Sequence, residues 1–465
     1  MSEIEEIKRE STSNFKKILF GAPRLGTSII LGIEGWALLT LYTSGYGLHP
    51  FSAGFVIAMG YLTIAISQFL LGWLSDAKYT KWGRRKPYLI VFAPLLGISV
   101  IFLILPGLVL NLNDTGTLFI WMLIWEIIFK ASYAVTTPYQ AWMAEEFPIE
   151  ERPKVSQIQN TFNYIGNGIM AIFTILILTN YIEALDSVRK SGPSVDLNIP
   201  IPINLSIPIL IFGILTIILF YIIAFKMPTE PNYEIKSNLI ESLKIIVKNK
   251  NFMKIVLMFG ISSLGWSMIT SVMLKYLLDT LNLGGTDYII AAVALILTIF
   301  IFLYFWRRTI QKSGKKKALL YIFILAVAFL PISLLGLIPL NNYLVIGIIF
   351  IVGIGAILGG WFLFPYIVYA DVAEDDENST GELKAGIYTG FPSIILNIFQ
   401  AFGAFLIGSI LSLPELERHY AAEPYTFSIG LIIFGPIVSL ILVISYFYTK
   451  KYVELDFDWE KKENS

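Results

Sequence analysis

Long apolar runs alternate with short polar breaks along most of this 465-residue chain. Twelve such runs lie near residues 21–46, 52–75, 88–109, 116–144, 155–180, 203–225, 252–280, 286–306, 317–338, 343–370, 386–412 and 425–449. A helix needs about 20 apolar residues to cross roughly 30 Å of hydrocarbon, and these runs reach that length with hardly a charge. Strands are shorter, so the pattern predicts an all-α membrane protein with twelve transmembrane helices. Pro and Gly inside several runs do not count against it, because neighbouring helices can satisfy the freed backbone groups.

The polar breaks differ in charge. Of 34 Lys and Arg, 29 fall in the two tails, counting Arg24 at the start of the first run with the first tail, and in the gaps 76–87, 145–154, 226–254, 307–317 and 371–385. Arg189, Lys190 and Arg418 lie in the alternate gaps, and Lys130 and Lys275 lie within the runs. Excess Lys and Arg marks the cytoplasmic side, so both termini are expected on the cytoplasmic side of the cell membrane and the number of spans is even. The longest gap divides the runs six and six. The expected organisation is a tail (1–20), a six-helix bundle (21–225), a central cytoplasmic loop (226–251), a second six-helix bundle (252–449) and a tail (450–465). Within the loop, "SNLIESLKIIVKNK" has apolar residues at helical spacing with Lys opposite. It reads either as a helix lying on the membrane surface or as a solvated linker helix.

Composition agrees and narrows the chemistry. The chain is 56% hydrophobic and 15% charged, with a mean hydropathy of +0.70, against about 45–50% and roughly 25% in soluble domains. Zero net charge gives no electrostatic case for nucleic acid. Absence of cysteine excludes disulfides, thiol catalysis and thiolate metal sites. His49 and His419 lie in expected outer loops, and neither a nucleophile–base set nor a metal-ligand spacing appears. No GxxxxGK[ST] loop is present, which counts against a nucleotide-driven pump. Neither an enzyme nor a cofactor or metal is expected. Met1 to Lys17 is charged and polar, so no cleavable signal peptide is expected. No signalling domain is expected on the short tails, which counts against a transport-inactive sensor.

One charged break has an echo. "GWLSDAKYTKWGRRKPYLI" runs from Gly72 to Ile90, and its "WGRRKPYLI" recurs 231 residues later as "SGKKKALLY" at 313–321. "PYQAWMAEE" at 138–146 likewise parallels "PYIVYADVA" at 365–373. Both echoes occupy corresponding places in the two halves, as in a duplicated six-helix unit with its substrate site between halves near the bilayer midplane.

These stretches resemble the major facilitator superfamily, and within it the glycoside–pentoside–hexuronide:cation symporter family, which includes melibiose permease and the sucrose–proton transporters. "GWALLTLYTSGYGLH", "TTPYQAWMAEEF", "NTFNYIGNG", "VKNKNF" and "YADVAEDDENSTGELKAGIYTG" extend the likeness over nearly the whole chain. The resemblance implies two pseudo-symmetric six-helix bundles and a monomer in the lipid bilayer, moving a sugar or glycoside with a coupled proton. An uncoupled facilitator, or an exporter of another small neutral solute, is the alternative. It also implies a cytoplasmic gate, a latch that holds the two halves together in one state and opens in the other. Asp76, Gly83, Arg84 and Arg85 place a turn glycine between a carboxylate and guanidinium groups, which suits a charge-assisted clamp. Glu145 and Asp371 are expected anchors for Arg84, Arg85 and Arg308. The likeness has gaps as well. Positions matching the sodium-binding acidic pair of melibiose permease are Ile64 and Gln68. Those matching its sugar-binding acid, tryptophan and arginine are Thr136, Gln140 and Asn160. Sodium coupling and galactoside recognition by that arrangement therefore do not carry over.

The residues supply other candidates. An ionisable side chain at a helix centre costs about 2.5–3.5 kcal/mol on insertion scales, so each is a functional candidate. Glu34 stands deep in the first helix, with Glu126 and Lys130 in the fourth. Glu126 and Lys130 are four apart and could form a purely local ion pair. Glu34 has no partner in its own helix, and burial there favours protonation while a nearby Lys130 opposes it. These three are the proton-coupling candidates. Lys275 and Asp279 repeat the spacing near an outer end and are expected to snorkel. For the substrate, Asn160, Asn163 and Asn167 share one helical face with Gln140 nearby, while Trp36, Trp125, Trp266 and Trp361 offer flat rings. Amides and rings together suit a sugar's hydroxyls and C–H faces. Interhelical bonding is the other reading of the asparagine stripe.

Overall fold

The computed structural model describes residues 13–148, 151–192, 196–229, 244, 247–340, 342–365, 367–369, 371–372, 375, 385–418 and 425–456. Twelve helices among them are long and apolar enough to cross a membrane. They are α1 (Asn14–Gly45), α2 (Pro50–Asp76), α3 (Lys86–Ile104), α4 (Thr115–Met143), α5 (Lys154–Lys190) and α6 (Ile203–Lys226) in the first half. The second half has α7 (Lys250–Thr280), α8 (Gly285–Ser313), α9 (Lys315–Leu337), α10 (Leu344–Trp361), α11 (Phe391–Leu411) and α12 (Gly430–Tyr452). Local chemistry sets several starts. Asp114 accepts from the backbone N–H of Gly116 at 3.0 Å and of Thr117 at 3.2 Å, and Asn249 accepts from that of Phe252 at 3.0 Å. Each thereby satisfies donors that the first helical turn leaves open.

Packing repeats between the halves. α1 packs on α5, α2 on α4 and α3 on α6. Six helices on, α7 packs on α11, α8 on α10 and α9 on α12. The bundles meet through α1–α7, α2–α11 and α5–α8, which the same shift exchanges. Between α2 and α11, Gly54 faces Gly408 so closely that a Cβ on either would strike the other's backbone. Small residues permit such approach in lipid, where packing rather than the hydrophobic effect joins helices. Below, the end of the bundles that holds the start of α1 and the end of α12 is the terminal face, and the opposite end is the distal face.

Several boundaries differ from the sequence expectation. α1 starts at Asn14, and its extension is held by Lys16 on Glu146 and Lys17 on Glu151. α5 continues to Lys190, so Arg189 and Lys190 sit on the helix and bind Asp186 at 2.7 and 2.6 Å. The last turns of α1, a middle segment of α5 and the end of α7 are π-helical, at Leu41–Gly45, Thr174–Leu178 and Tyr276–Thr280. An unexpected antiparallel hairpin joins α11 to α12, with β1 (Glu415–Arg418) opposite β2 (Tyr425–Ser428). Arg418 is buried there, donating to the Thr280 carbonyl at 2.9 Å and to that of Gly336, with the Tyr343 ring 4.3 Å away. It anchors the hairpin to the end of α7. Most of the expected loop helix at 237–250, and His419, lie outside the described residues.

Candidate functional site

α1 and α4 bring the three deep ionisable side chains together. Nζ of Lys130 donates to Oε2 of Glu34 at 2.6 Å and lies 3.9 Å from Oε1 of Glu126. All three side chains are 2% exposed or less. Glu34 lies eleven residues from the distal end of α1, about 16 Å at 1.5 Å per residue. α2 closes the cluster: the Tyr61 ring lies 4.7 Å from Nζ, and a Cβ at Gly60 would collide with Oε1 of Glu126. Oε1 of Glu34 and both oxygens of Glu126 have no donor among the described residues.

The charge count gives this geometry its chemistry. Two carboxylates beside one ammonium leave a net negative charge in a dry site, and burying an unpaired charge is costly. A proton bound by one of the two carboxyl groups would neutralise the cluster and supply a missing donor. The local Glu126–Lys130 pair expected from spacing is the longer contact. The contact between helices is the shorter.

The other candidates separate. Trp36 lines a mainly apolar cavity of about 30 Å³ between the bundles, with Met170 and Thr174 of α5, Met273 and Leu277 of α7 and Tyr288 of α8. Trp266 and Trp361 do not face that cavity. They pack against each other at 5.2 Å, and Trp361 lies 5.4 Å from Phe259, both indoles being largely buried in the second bundle. Trp125 stacks on Phe102 at 4.7 Å between α3 and α4. The asparagine stripe is divided. Asn163 accepts from the Ser28 hydroxyl at 2.5 Å, an interhelical bond, whereas Asn160 and Asn167 are exposed. Gln140, with its amide oxygen turned to α1, accepts from Nε of Arg24 at 2.9 Å. Arg24 escaped the sequence reading because it lies close enough to the chain's start to count with the basic tail.

At the terminal face the expected charged groups meet within one bundle and not between the halves, as a latch would require. Arg85 binds Asp76 at 2.6 Å, Glu145 at 2.5 Å and the Ser75 hydroxyl at 2.6 Å. Burial opposes the charge of Arg85, but the bonds and charges of Glu145 and Asp76 outweigh it and raise its pKa above the ordinary arginine value. Gly83 has φ 92° in a tight turn closed by reciprocal bonds with Thr80, a conformation that favours glycine. Arg84 is fully buried. Asp371 departs from expectation. Its partner is Lys315 at 2.6 Å, not Arg308, which is exposed on α8. Lys315 follows Gly314, whose φ of 83° repeats that of Gly83, so the sequence echo is also a conformational one.

At the distal face Lys275 does not snorkel. It is 7% exposed, and its Nζ donates to Oδ2 of Asp279 at 2.6 Å and to the hydroxyl of Ser44, which in turn donates to Asp279 at 3.0 Å. These bonds join α1 to α7 across the bundles.

Comparison with known proteins agrees with this architecture. The sequence model of the family described as MFS/sugar transport protein matches residues 19–453. An uncharacterized symporter of Synechocystis sp. is 23% identical, with 88% of this chain and 87% of that protein aligned. The uncharacterized symporter YnaJ of Bacillus subtilis is also 23% identical, over 98% of this chain and 94% of its own. Among solved structures, a D-xylose–proton symporter superposes with a TM-score of 0.63 at 14% identity, covering 95% of this chain and 97% of that one. The nucleoside transporter NupG does so at 0.62 and 13%, covering 95% and 100%. At such identities the likeness is one of fold. Twelve spans, the repeated packing and the match over nearly the whole length together place this chain in the MFS/sugar transport protein family.

Proposed function

We propose that the protein carries a sugar or glycoside across the cytoplasmic membrane by alternating access, with a proton held by Glu34, Glu126 and Lys130. The carrying observation is the buried cluster itself, with two carboxyl groups and one ammonium in a site without water-facing surface. Its charge is balanced only when one proton is bound. The exposed amides of Asn160 and Asn167, with the Trp36 ring, line the path for a hydroxylated solute. Both termini face the cytoplasm, in keeping with the basic residues on that side. The clamps at Arg85 and Lys315 brace the two bundles at the cytoplasmic gate as they rock. One charge moved across 100 mV is worth about 2.3 kcal/mol, roughly a 40-fold concentration ratio.

Uptake into proteoliposomes tests this, across a panel of mono- and disaccharides with and without a pH gradient. Accumulation that requires the gradient and is lost in Glu34→Gln is expected. Accumulation unchanged by that variant and by an uncoupler removes the proton from the mechanism. An uncoupled facilitator draws on one specific feature, the 2.6 Å Glu34–Lys130 pair, which is complete as it stands. In that case transport equilibrates the sugar at any pH gradient.

A further inference from the structure

The transport reading leaves one cation without a task. Arg24 is half-buried on α1, within a membrane span, and among the described residues no carboxylate pairs with it. Its guanidinium is held by a neutral group, the amide of Gln140 on α4. Which way it faces follows from the helix. Arg24 and Gly35 are eleven residues apart, about three turns, so they share a face. A Cβ at Gly35 would meet nothing within 4 Å. Gly35 sits between Glu34, which points to Lys130, and Trp36, which lines the cavity between the bundles. The open space beside Gly35 is therefore the space between the bundles, and Arg24 opens onto the same side nearer the terminal face. Ser28, one turn on from Arg24, binds Asn163, and Asn160 is exposed one turn before it on α5.

We propose that Arg24, positioned by Gln140, is an oxyanion subsite at the mouth of the transport path, and that the solute carries one carboxylate or phosphate ester besides its hydroxyls. A guanidinium presents paired N–H donors that match either oxyanion, and such charge-assisted bonds are stronger than neutral ones. Gln140 occupies Nε and one terminal nitrogen, which leaves further donors for a ligand. The inference rests on the transport reading for its choice of solute, but the subsite can be tested separately.

The full-length protein is reconstituted in phosphatidylcholine vesicles, and uptake and thermal midpoint are read with gluconate, glucose 6-phosphate and methyl glucoside. At least one of the two anions is expected to raise the midpoint and to be taken up, with methyl glucoside weaker. Arg24→Gln is expected to weaken that anion about tenfold or more, as loss of a charged donor pair would, while Arg24→Lys keeps part of the binding. Should Arg24→Gln fail to fold, Gln140→Leu leaves the charge but frees its orientation, and a weaker anion response is again expected. Uptake confined to methyl glucoside, or anion binding equal in wild type and Arg24→Gln, overturns the subsite and leaves the transport reading standing. Anion stabilisation lost in Arg24→Gln, with no uptake of any probe, supports the subsite and contradicts transport. A midpoint raised only by phosphatidylglycerol, through Arg24, assigns the guanidinium to lipid headgroups and overturns the proposal.

Discussion

Two buried lysines, Lys130 on α4 and Lys275 on α7, each lie four residues from an acid on their own helix, and each reaches across to α1. From sequence spacing the two pairs look alike. Their surroundings make them different devices. Lys130 faces two carboxyl groups in a site at most 2% exposed, so its cluster carries one acid too many, and the proposed proton coupling rests on that excess. Lys275 faces a single carboxylate that is 22% exposed, so its pair is already neutral, and a serine hydroxyl ties it to the other bundle. The first lies inside one bundle and the second joins two. Charge balance and placement decide the role, and spacing alone does not.

The largest expected effect comes from removing the cation of the first set. Lys130→Met leaves Glu34 and Glu126 without their counter-charge, and breaking a buried pair in this way costs about 3–5 kcal/mol. A lowered thermal midpoint and lost uptake are expected, with partial recovery of the midpoint in Lys130→Met/Glu34→Gln. If the double variant is no more stable than the single, the excess-acid description of this cluster is wrong.

Gly60→Ala probes the same cluster by space rather than charge. Its new methyl group meets Oε1 of Glu126, and such overpacking typically costs about 1–3 kcal/mol. The pH at half-maximal uptake is expected to move, since the carboxyl group must turn. An unchanged pH profile separates Glu126 from the proton.

Lys275→Met should act at the seam instead. The chain has no native cysteine, so one introduced at Gly45 gives a clean reporter. Faster labelling from the distal face is expected, together with an unchanged pH profile of uptake. A shifted profile would make the two lysines equivalent after all. Ser44→Ala is the mildest change, worth about 1 kcal/mol for one hydrogen bond, with a small rise in labelling.

Much of this was legible beforehand, for identifiable reasons. The spans followed from apolar length, and Glu34, Glu126 and Lys130 stood out because a charge deep in an apolar run has few innocent explanations. The repeat of Gly83–Arg84 as Gly314–Lys315 was also visible as letters. What stayed hidden depended on contacts between helices distant in sequence. Nothing in periodicity shows that Lys275 meets Ser44, that Asp371 takes Lys315 rather than Arg308, or that Trp266 and Trp361 spend their faces on each other. Arg24 was concealed by its nearness to a basic tail. The hairpin did leave a signal in the alternation of "ELER" and "YTFS", which has the period of a strand.

Protons and sugar can be followed together in lightly buffered proteoliposomes with no imposed gradient. When a transported sugar is added outside, the account predicts transient alkalinisation of the medium alongside sugar entry in the wild type, and none in Glu34→Gln. Sugar entering wild-type vesicles with no movement of external pH would contradict it.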